Sequence, residues 1–217
     1  MRYILPHDTG MAPCVDNGLV SLATCKPAIR RTAKVGDWVL GFRPRPVPRG
    51  LLIWAARVGQ VVRIEDYEPR FRGRSDAVYR SDGRDGFFRL RPCYHPGNEQ
   101  FRRDISAPVP VFDKHASWYF GRNPEMLPGH LLHLAAAGIG HRVNGVNDTD
   151  ATALEAWLAG NWPPGVLGSP PNPNFQAIRT AAPAYPAALH PRRVRAGKSR
   201  RGHERCALCP GSTRAEH

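Results

Sequence analysis

The stretch DTGMAPCVDNGLVSLATCKPAIRRTAKVGDWVLGF, residues 8–42, decides how this chain is expected to fold. Its last part, GDWVLGF (36–42), has the apolar residues of a buried strand, and a Gly-Asp turn leads into it. Four cations stand directly before this strand: Lys26, Arg30, Arg31 and Lys34. Basic loops at the mouth of a small barrel are suited to holding a phosphate chain. The alternative is a solvated basic surface that binds no ligand. Of the two, we expect contact with phosphate.

Further short strands are predicted before and after this stretch. They are RYIL (2–5), LLIWAARVGQVVRI (51–64) with a bulge near Gly59, DGFFRLRP (85–92) and SWYFG (117–121). Helical patterns are fewer, at 125–138 and 148–160, with a short helical turn at 64–71. Short strands with two or three helices predict an α+β domain built on a small, mixed and partly open β-barrel.

The chain changes character after Trp162. The sequence then becomes rich in proline and has no sustained period, and 22 of the 217 residues are proline. From Arg192 onward, eight Lys or Arg stand against two Glu. We therefore predict a folded domain over residues 1–162 and a proline-rich linker with a basic tail over 163–217.

The charge of the chain favours polyanionic partners. The formal net charge is +13 and the sequence pI is about 10.3, so we expect DNA or a nucleotide as partner. The alternative is that the positive charge reflects only a high arginine content and indicates no polyanionic partner. No apolar run approaches the roughly 18 residues of a membrane span, and no secretory signal is visible. Five cysteines, an odd number, suit a reducing compartment. We expect a cytoplasmic protein without a membrane partner.

Acid–base candidates follow the first strand. His7 and Asp8 could exchange protons with a ligand, although adjacent residues in an extended segment point to opposite sides. Lys26 is the third candidate for chemistry. Asp37 is expected to cap the turn into its strand.

The cysteines offer two weaker hypotheses. Lys26 beside Cys25 could activate a thiol nucleophile, but the small and apolar neighbours in SLATCKP favour a buried structural thiol. In the tail, a single CxxC pair and two histidines could complete a tetrahedral zinc site: His203, Cys206, Cys209 and His217. The alternative is a disordered tail with incidental cysteines. We predict no cofactor, with zinc in the tail as the exception to test, and no Walker or Rossmann motif supports ATP or hydride chemistry.

Four motifs resemble the nucleotide modification associated domain family, type 2, over roughly residues 1–146. They are HDTGMAP (7–13), LATCKPAIRRTAKVGDWVLG (22–41), SWYFG (117–121) and GIGHRVNG (138–145). The resemblance implies a link to DNA base hypermodification. The segment SDAVY (75–79) departs from the Gly-Asp-Asn-hydrophobe-Tyr pattern expected of the family. The strand VGDWVLGF is separately similar to the entry strand of PUA-like folds, including EVE and ASCH domains, which are small mixed barrels that hold modified or flipped bases.

A base-binding pocket of that type needs aromatic faces and polar edges. Trp54 could add a face, although core packing is the alternative for each tryptophan. The residues predicted to contact nucleic acid or ligand are Lys26, Arg30, Arg31, Lys34, Trp38, Trp118, Tyr119, His141 and Arg142.

The sequence therefore predicts a nucleic-acid-associated domain that binds or positions a modified or extruded base, with basic loops on the phosphates. A first alternative is an enzyme of DNA base or nucleotide hypermodification that uses His7, Asp8 and Lys26. A second is a structural subunit that docks other base-modification proteins through its arm and tail. Whether the chain is an enzyme stays open at this point.

Overall fold

Short strands alternate with short helices in the computed structural model, which describes residues 1–172 except 85, 93, 136–140 and 143–145, and only the backbone of 141 and 142. The strands are β1 (Arg2–Ile4), β2 (Trp38–Phe42), β3 (Leu51–Val62), β4 (Tyr79–Ser81), β5 (Phe87–Arg89), β6 (Val109–Tyr119), β7 (Glu125–Met126), β8 (His141–Arg142) and β9 (Gly165–Val166). The α-helices are α1 (Pro27–Thr32), α2 (Ile64–Arg70), α3 (Asn98–Ile105) and α4 (Asp148–Asn161). Two 3-10 turns cover Asp16–Gly18 and Gly129–Leu134.

One seven-stranded sheet organises the fold. Its order is β8-β1-β2-β3-β6-β9, and β7 pairs with the beginning of β3. Strand β1 runs parallel to β2, whereas β2, β3 and β6 are antiparallel neighbours. The predicted α+β class is confirmed. No closed barrel forms in the part of the chain that the structure describes, because there the sheet ends at β8 and β9.

Strand β2 lies in the middle of the sheet and is buried on both faces. Trp38, on one face, contributes to a core shared with Leu154 and Leu158 of α4. Val39 points to the other face, into a core that includes Tyr3. A strand covered on both faces needs the continuous apolar run that WVLGF supplies. Trp38 is buried, as the sequence predicted.

Gly41 in β2 allows a close approach that no larger residue permits. A Cβ at this position would overlap the indole of Trp54. We expect Gly41→Ala to lower the free energy of unfolding by about 1–3 kcal/mol, since overpacking forces neighbouring groups to shift. Urea denaturation measures this loss. Gly160→Ala is the matched control, because nothing lies near its Cβ and alanine favours the helix by up to about 1 kcal/mol. Equal stability of the two variants would contradict the tight contact.

The helices differ from the sequence expectations in three places, one of which is α3, a helix that the sequence did not predict. Helices α2 and α4 lie where predicted, but 125–138 contains β7 and a 3-10 turn, since Pro128 and Gly129 interrupt an α-helical pattern. Helix α1 forms where the sequence predicts a basic loop, and Pro27 at its first turn is compatible with a helix start. Of the helices in the described part of the chain, none has the length and apolar character that a bilayer crossing requires.

The first residues of the predicted linker pack against the sheet. Strand β9 pairs in parallel with β6, and the Leu167 amide donates to the Tyr119 carbonyl at 2.8 Å. The Arg122 amide donates to the Ser169 carbonyl at 2.9 Å. Ordered packing therefore runs past the predicted boundary at residue 162, as far as the structure describes the chain. The remainder of the predicted arm, 173–217, lies outside the described residues.

Candidate active site

A cavity of about 420 Å³ opens where β1 ends and α1 begins. Three segments form it: the chain after β1, the turn before α1, and the loop before α3. The lining residues are Leu5, Pro6, His7, Thr9, Ala12, Cys25, Lys26, Tyr94 and His95. The sheet fixes the first segment, since the Leu5 amide donates to the Phe42 carbonyl of β2 at 2.8 Å.

An unusual turn presents the thiol to this cavity. Cys25 and Lys26 both have left-handed backbones, with φ of 57° and 41°, directly before Pro27 begins α1. This conformation costs roughly 1–2 kcal/mol per residue that has a side chain. The Cys25 amide donates to Oδ1 of Asp104 at 2.7 Å, which offsets part of that cost. Asp104 is a residue of α3, so the turn is held from outside its own segment.

The thiol belongs to a hydrogen-bonded chain of three side chains. Cys25 Sγ lies 3.5 Å from His95 Nε2, and His95 Nδ1 lies 2.6 Å from Asp104 Oδ2. The Tyr79 hydroxyl donates to the same Asp104 oxygen at 2.8 Å. The buried carboxylate thus orients the imidazole so that Nε2 faces the sulfur. A thiol, an imidazole and an orienting carboxylate in this sequence are the groups that an activated cysteine nucleophile requires.

His95 carries a proton at neutral pH in this setting. Burial lowers the pKa of His95, but hydrogen bonds to Asp104 and Cys25 outweigh it and raise the pKa from 6.5 to about 9. An imidazolium 3.5 Å from the sulfur stabilises negative charge there once the thiol has lost its proton. The same proton can later be given to a reacting group, so His95 can act as a general acid.

Tyr94 supports the imidazole from one side. Its ring stacks on His95, with centroids 4.2 Å apart and planes inclined by 18°. The Tyr94 hydroxyl lies 2.8 Å from Thr24 Oγ1 and 4.0 Å from Cys25 Sγ. Burial raises the pKa of Tyr94, so its hydroxyl keeps its proton. The stacking restricts rotation of the His95 ring.

Lys26 and His7 add polar groups to the cavity. The Lys26 ammonium lies 4.9 Å from the centre of the Tyr3 ring, and burial lowers the pKa of Lys26 although Cys25 acts to raise it. His7 is exposed and lines the same cavity. Together with protonated His95, the Lys26 ammonium gives the cavity a cationic wall that suits an anionic ligand.

Asp8 points away from the cavity. Its Oδ2 accepts the Tyr119 hydroxyl at 2.8 Å, and its side chain is buried. Burial raises the pKa of Asp8, despite hydrogen bonds from Tyr119 and Gly10 that lower it. The predicted grouping of Asp8 with His7 and Lys26 is therefore corrected, because adjacent residues of this extended segment face opposite sides.

Arg30 also lies elsewhere than predicted. Its side chain is fully buried, and Nη2 donates to the Asp104 carbonyl at 2.7 Å and also to the Ala107 carbonyl. Its Nε donates to the Pro108 carbonyl at 3.0 Å. The planar guanidinium thus binds the last turn of α3 and the chain that follows it, and is not presented to a phosphate. Arg31 and Lys34, in contrast, are exposed.

The predicted stacking faces are part of the core. Trp38, Trp118 and Tyr119 are buried, as is Trp54, because β2, β3 and β6 are inner strands of the sheet. None of these four rings offers an open face to a base, so this prediction is corrected. Asp37 Oδ2 accepts the Lys34 amide at 2.8 Å, which confirms the predicted turn cap.

Other predicted residues fall outside the described side chains. Only the backbone strand is described for His141 and Arg142, and the tail candidates His203, Cys206, Cys209 and His217 lie beyond residue 172. Their roles stay predictions.

Sequence reasoning did not find His95 and Asp104, and it favoured a structural role for Cys25. These residues come from separate segments, and their spacing matches no local motif. The one local signal was the pair Cys25 and Lys26 immediately before a proline that can start a helix.

The same three side chains are close enough to share a metal ion, with ligand atoms of Cys25, His95 and Asp104 within 4.8 Å of one another. Both Asp104 oxygens, however, already accept hydrogen bonds, from the Cys25 amide on one side and from Tyr79 and His95 on the other. The arrangement therefore fits a proton relay better than a metal centre.

Comparison with known families gives one match. Residues 1–84 match the family model described as Nucleotide modification associated domain 2. The matched range contains Cys25 and Lys26 and ends before His95 and Asp104. No match was found among curated proteins or among solved structures. The predicted resemblance is confirmed over these 84 residues, and no finding supports the similarity to PUA and EVE domains.

Proposed function

We propose that this chain, with its nucleotide modification associated domain 2 over residues 1–84, is an enzyme that acts on a nucleotide, either free or within DNA. The family match supports involvement in nucleotide modification. The observation that carries the enzymatic part is the chain of contacts from Cys25 Sγ through His95 to Asp104 in the wall of a cavity.

Each residue has a distinct role in this proposal. The His95 imidazolium stabilises the thiolate of Cys25, and that sulfur attacks an electrophilic carbon of the nucleotide. Asp104 is a positioning residue that holds the imidazole. Lys26 and His7 contact the anionic part of the ligand, for which a phosphate is the natural choice.

Contact with the DNA backbone is a separate part of the proposal. Arg31 on α1 and Lys34 just after it are exposed and close in sequence to the cavity turn. Exposed cations beside a cationic cavity suit the phosphates on either side of a bound nucleotide. The same observation favours a second candidate, a domain that binds a base without altering it.

Alkylation of the thiol by iodoacetamide tests the proposal without knowledge of the substrate. We expect Cys25 to react at least about tenfold faster than Cys14, which is fully buried and whose pKa is raised by burial. His95→Asn should slow Cys25 alkylation by about tenfold or more, because it removes the imidazolium that stabilises the thiolate. Peptide mass spectrometry measures both rates. His115→Asn is the matched control, since His115 is exposed and does not line the cavity.

Two results would contradict the enzymatic reading. Cys25 alkylation at the wild-type rate in His95→Asn would favour the binding domain instead. Slow alkylation that a chelator accelerates would identify the three residues as a metal site. Nucleosides from cells that express wild type or Cys25→Ser give the biological readout, because an enzyme of this kind changes base composition only when Cys25 is present.

A further inference from the structure

We infer that the substrate is a pyrimidine nucleotide and that Cys25 attacks ring carbon C6. This inference rests on the proposed function and names the substrate class of that site. It depends on three observations: a thiol in the cavity wall, an acid–base group against that thiol, and a cation beside it.

The choice of pyrimidine follows from the chemistry of sulfur. A thiolate is a polarisable nucleophile that adds readily to a carbon–carbon double bond conjugated with a carbonyl or an equivalent C=N group. The C5=C6 bond of a pyrimidine is such a bond, because it is conjugated with C4. Purine rings contain no comparable conjugate acceptor. The phosphorus of the phosphate and the carbons of the sugar are poorer targets for sulfur. A cysteine-based site in a nucleotide-modifying domain therefore points to C6.

The first half of the reaction adds the thiol across the double bond. The Cys25 thiolate, paired with protonated His95, attacks C6, so that the S–C6 bond forms and the C5=C6 π bond breaks. Its electron pair is delocalised over C5 and the heteroatom on C4. His95 then returns its proton to C5, which completes a saturated adduct with no atom or electron unaccounted for.

The second half reverses these steps and can change the hydrogen on C5, which is detectable. His95, neutral after giving up its proton, removes one of the two C5 hydrogens, the S–C6 bond breaks, and the aromatic base and the thiolate–imidazolium pair are regenerated. Because the imidazole proton exchanges with solvent, each cycle in which the original C5 hydrogen is the one removed replaces it by a solvent hydrogen. No oxidant, reductant or second substrate is needed for this exchange.

The groups around the sulfur are suited to the charge that develops. The heteroatom on C4 becomes negative during addition, and the Lys26 ammonium lines the same cavity as the sulfur. The Asp104 carboxylate is buried behind His95 with both oxygens occupied, so it does not oppose that charge from the cavity surface. Preorganised positive groups at a site of developing negative charge lower the barrier.

Hydrogen exchange at C5 tests the inference with the full chain. The probes are dUMP, dCMP and a single-stranded oligodeoxynucleotide that contains both bases, each incubated in D₂O and followed by mass spectrometry. We expect deuterium at C5 of at least one probe, well above a protein-free blank. Cys25→Ala should abolish it, His95→Asn should lower it by about tenfold or more, and His115→Asn should leave it unchanged. Exchange in the oligonucleotide alone would identify a polymer substrate, and exchange in mononucleotides alone a free one.

Failure of the inference can be separated from failure of the proposed function. No exchange above the blank in any of the three probes, with His95-dependent alkylation of Cys25 intact, overturns C6 attack and leaves the thiol enzyme standing. Exchange that persists in Cys25→Ala also overturns the inference. If alkylation too is independent of His95, both proposals fail.

Discussion

Arg30→Ala is expected to lower the free energy of unfolding by about 3–5 kcal/mol, because backbone carbonyls lose a charged donor and a buried cavity opens. The guanidinium is fully buried and donates to the carbonyls of Asp104, Ala107 and Pro108. Alanine leaves these carbonyls without their charged donor and leaves a cavity between α1 and the chain after α3. Thermal or urea denaturation monitored by circular dichroism measures the loss.

Arg31→Ala is the control for this prediction. Arg31 is the next residue of the same helix and is exposed, so its removal should change stability by no more than about 0.5 kcal/mol. Iodoacetamide reactivity of Cys25 should also change in Arg30→Ala, because Asp104 holds both His95 and the Cys25 amide. Wild-type stability combined with weakened nucleotide binding would instead make Arg30 a ligand residue.

The second large effect concerns pH and the proton on His95. Because the pKa of His95 is raised from 6.5 to about 9, the folded protein holds this proton more tightly than the unfolded chain. The resulting stabilisation is complete below about pH 6.5 and is lost as pH rises through about 9. Allowing for the part of the ring that water reaches, we expect a loss on the order of 2 kcal/mol across this window.

Asp104→Asn should remove this pH dependence. Without the carboxylate, the pKa of His95 should fall toward its ordinary value of about 6.5, which an NMR titration of the His95 ring proton measures directly. Cys25 alkylation should slow as well, because the ring is no longer fixed with Nε2 toward the sulfur. The same titration of exposed His115 serves as the internal control. A stability profile of the wild type that stays flat between pH 6.5 and 9 would mean that His95 is neutral in the folded protein.

Much of the local structure could be predicted because its signals are local. The apolar run of β2 and the long apolar run of β3 each specify a buried strand, and the register of β3 against β6 shifts near Gly59, as expected. Helix α4 follows a run of capping residues, and the Asn147 side chain accepts the Asp150 amide at 2.7 Å. Such features depend on neighbours a few residues apart.

The site and the sheet closure depend on contacts that the linear sequence does not encode locally. Arg30 is a plausible phosphate ligand until the chain after α3, more than 70 residues away, is placed against its guanidinium. The roles of His95 and Asp104 become apparent only from their contacts with Cys25, which lies at a similar separation along the sequence. The place of β1 in the sheet likewise depends on its parallel pairing with β2, which neither segment specifies by itself.

At the left-handed turn of Cys25 and Lys26, selection for stability and selection for function favour different residues. A glycine at position 26 would adopt this backbone without steric penalty, and the domain would tolerate heat and mutation better. It would also delete the ammonium that lines the cavity. Under the proposed enzymatic function, a lineage that gains stability through glycine at position 26 would lose this ammonium from the cavity.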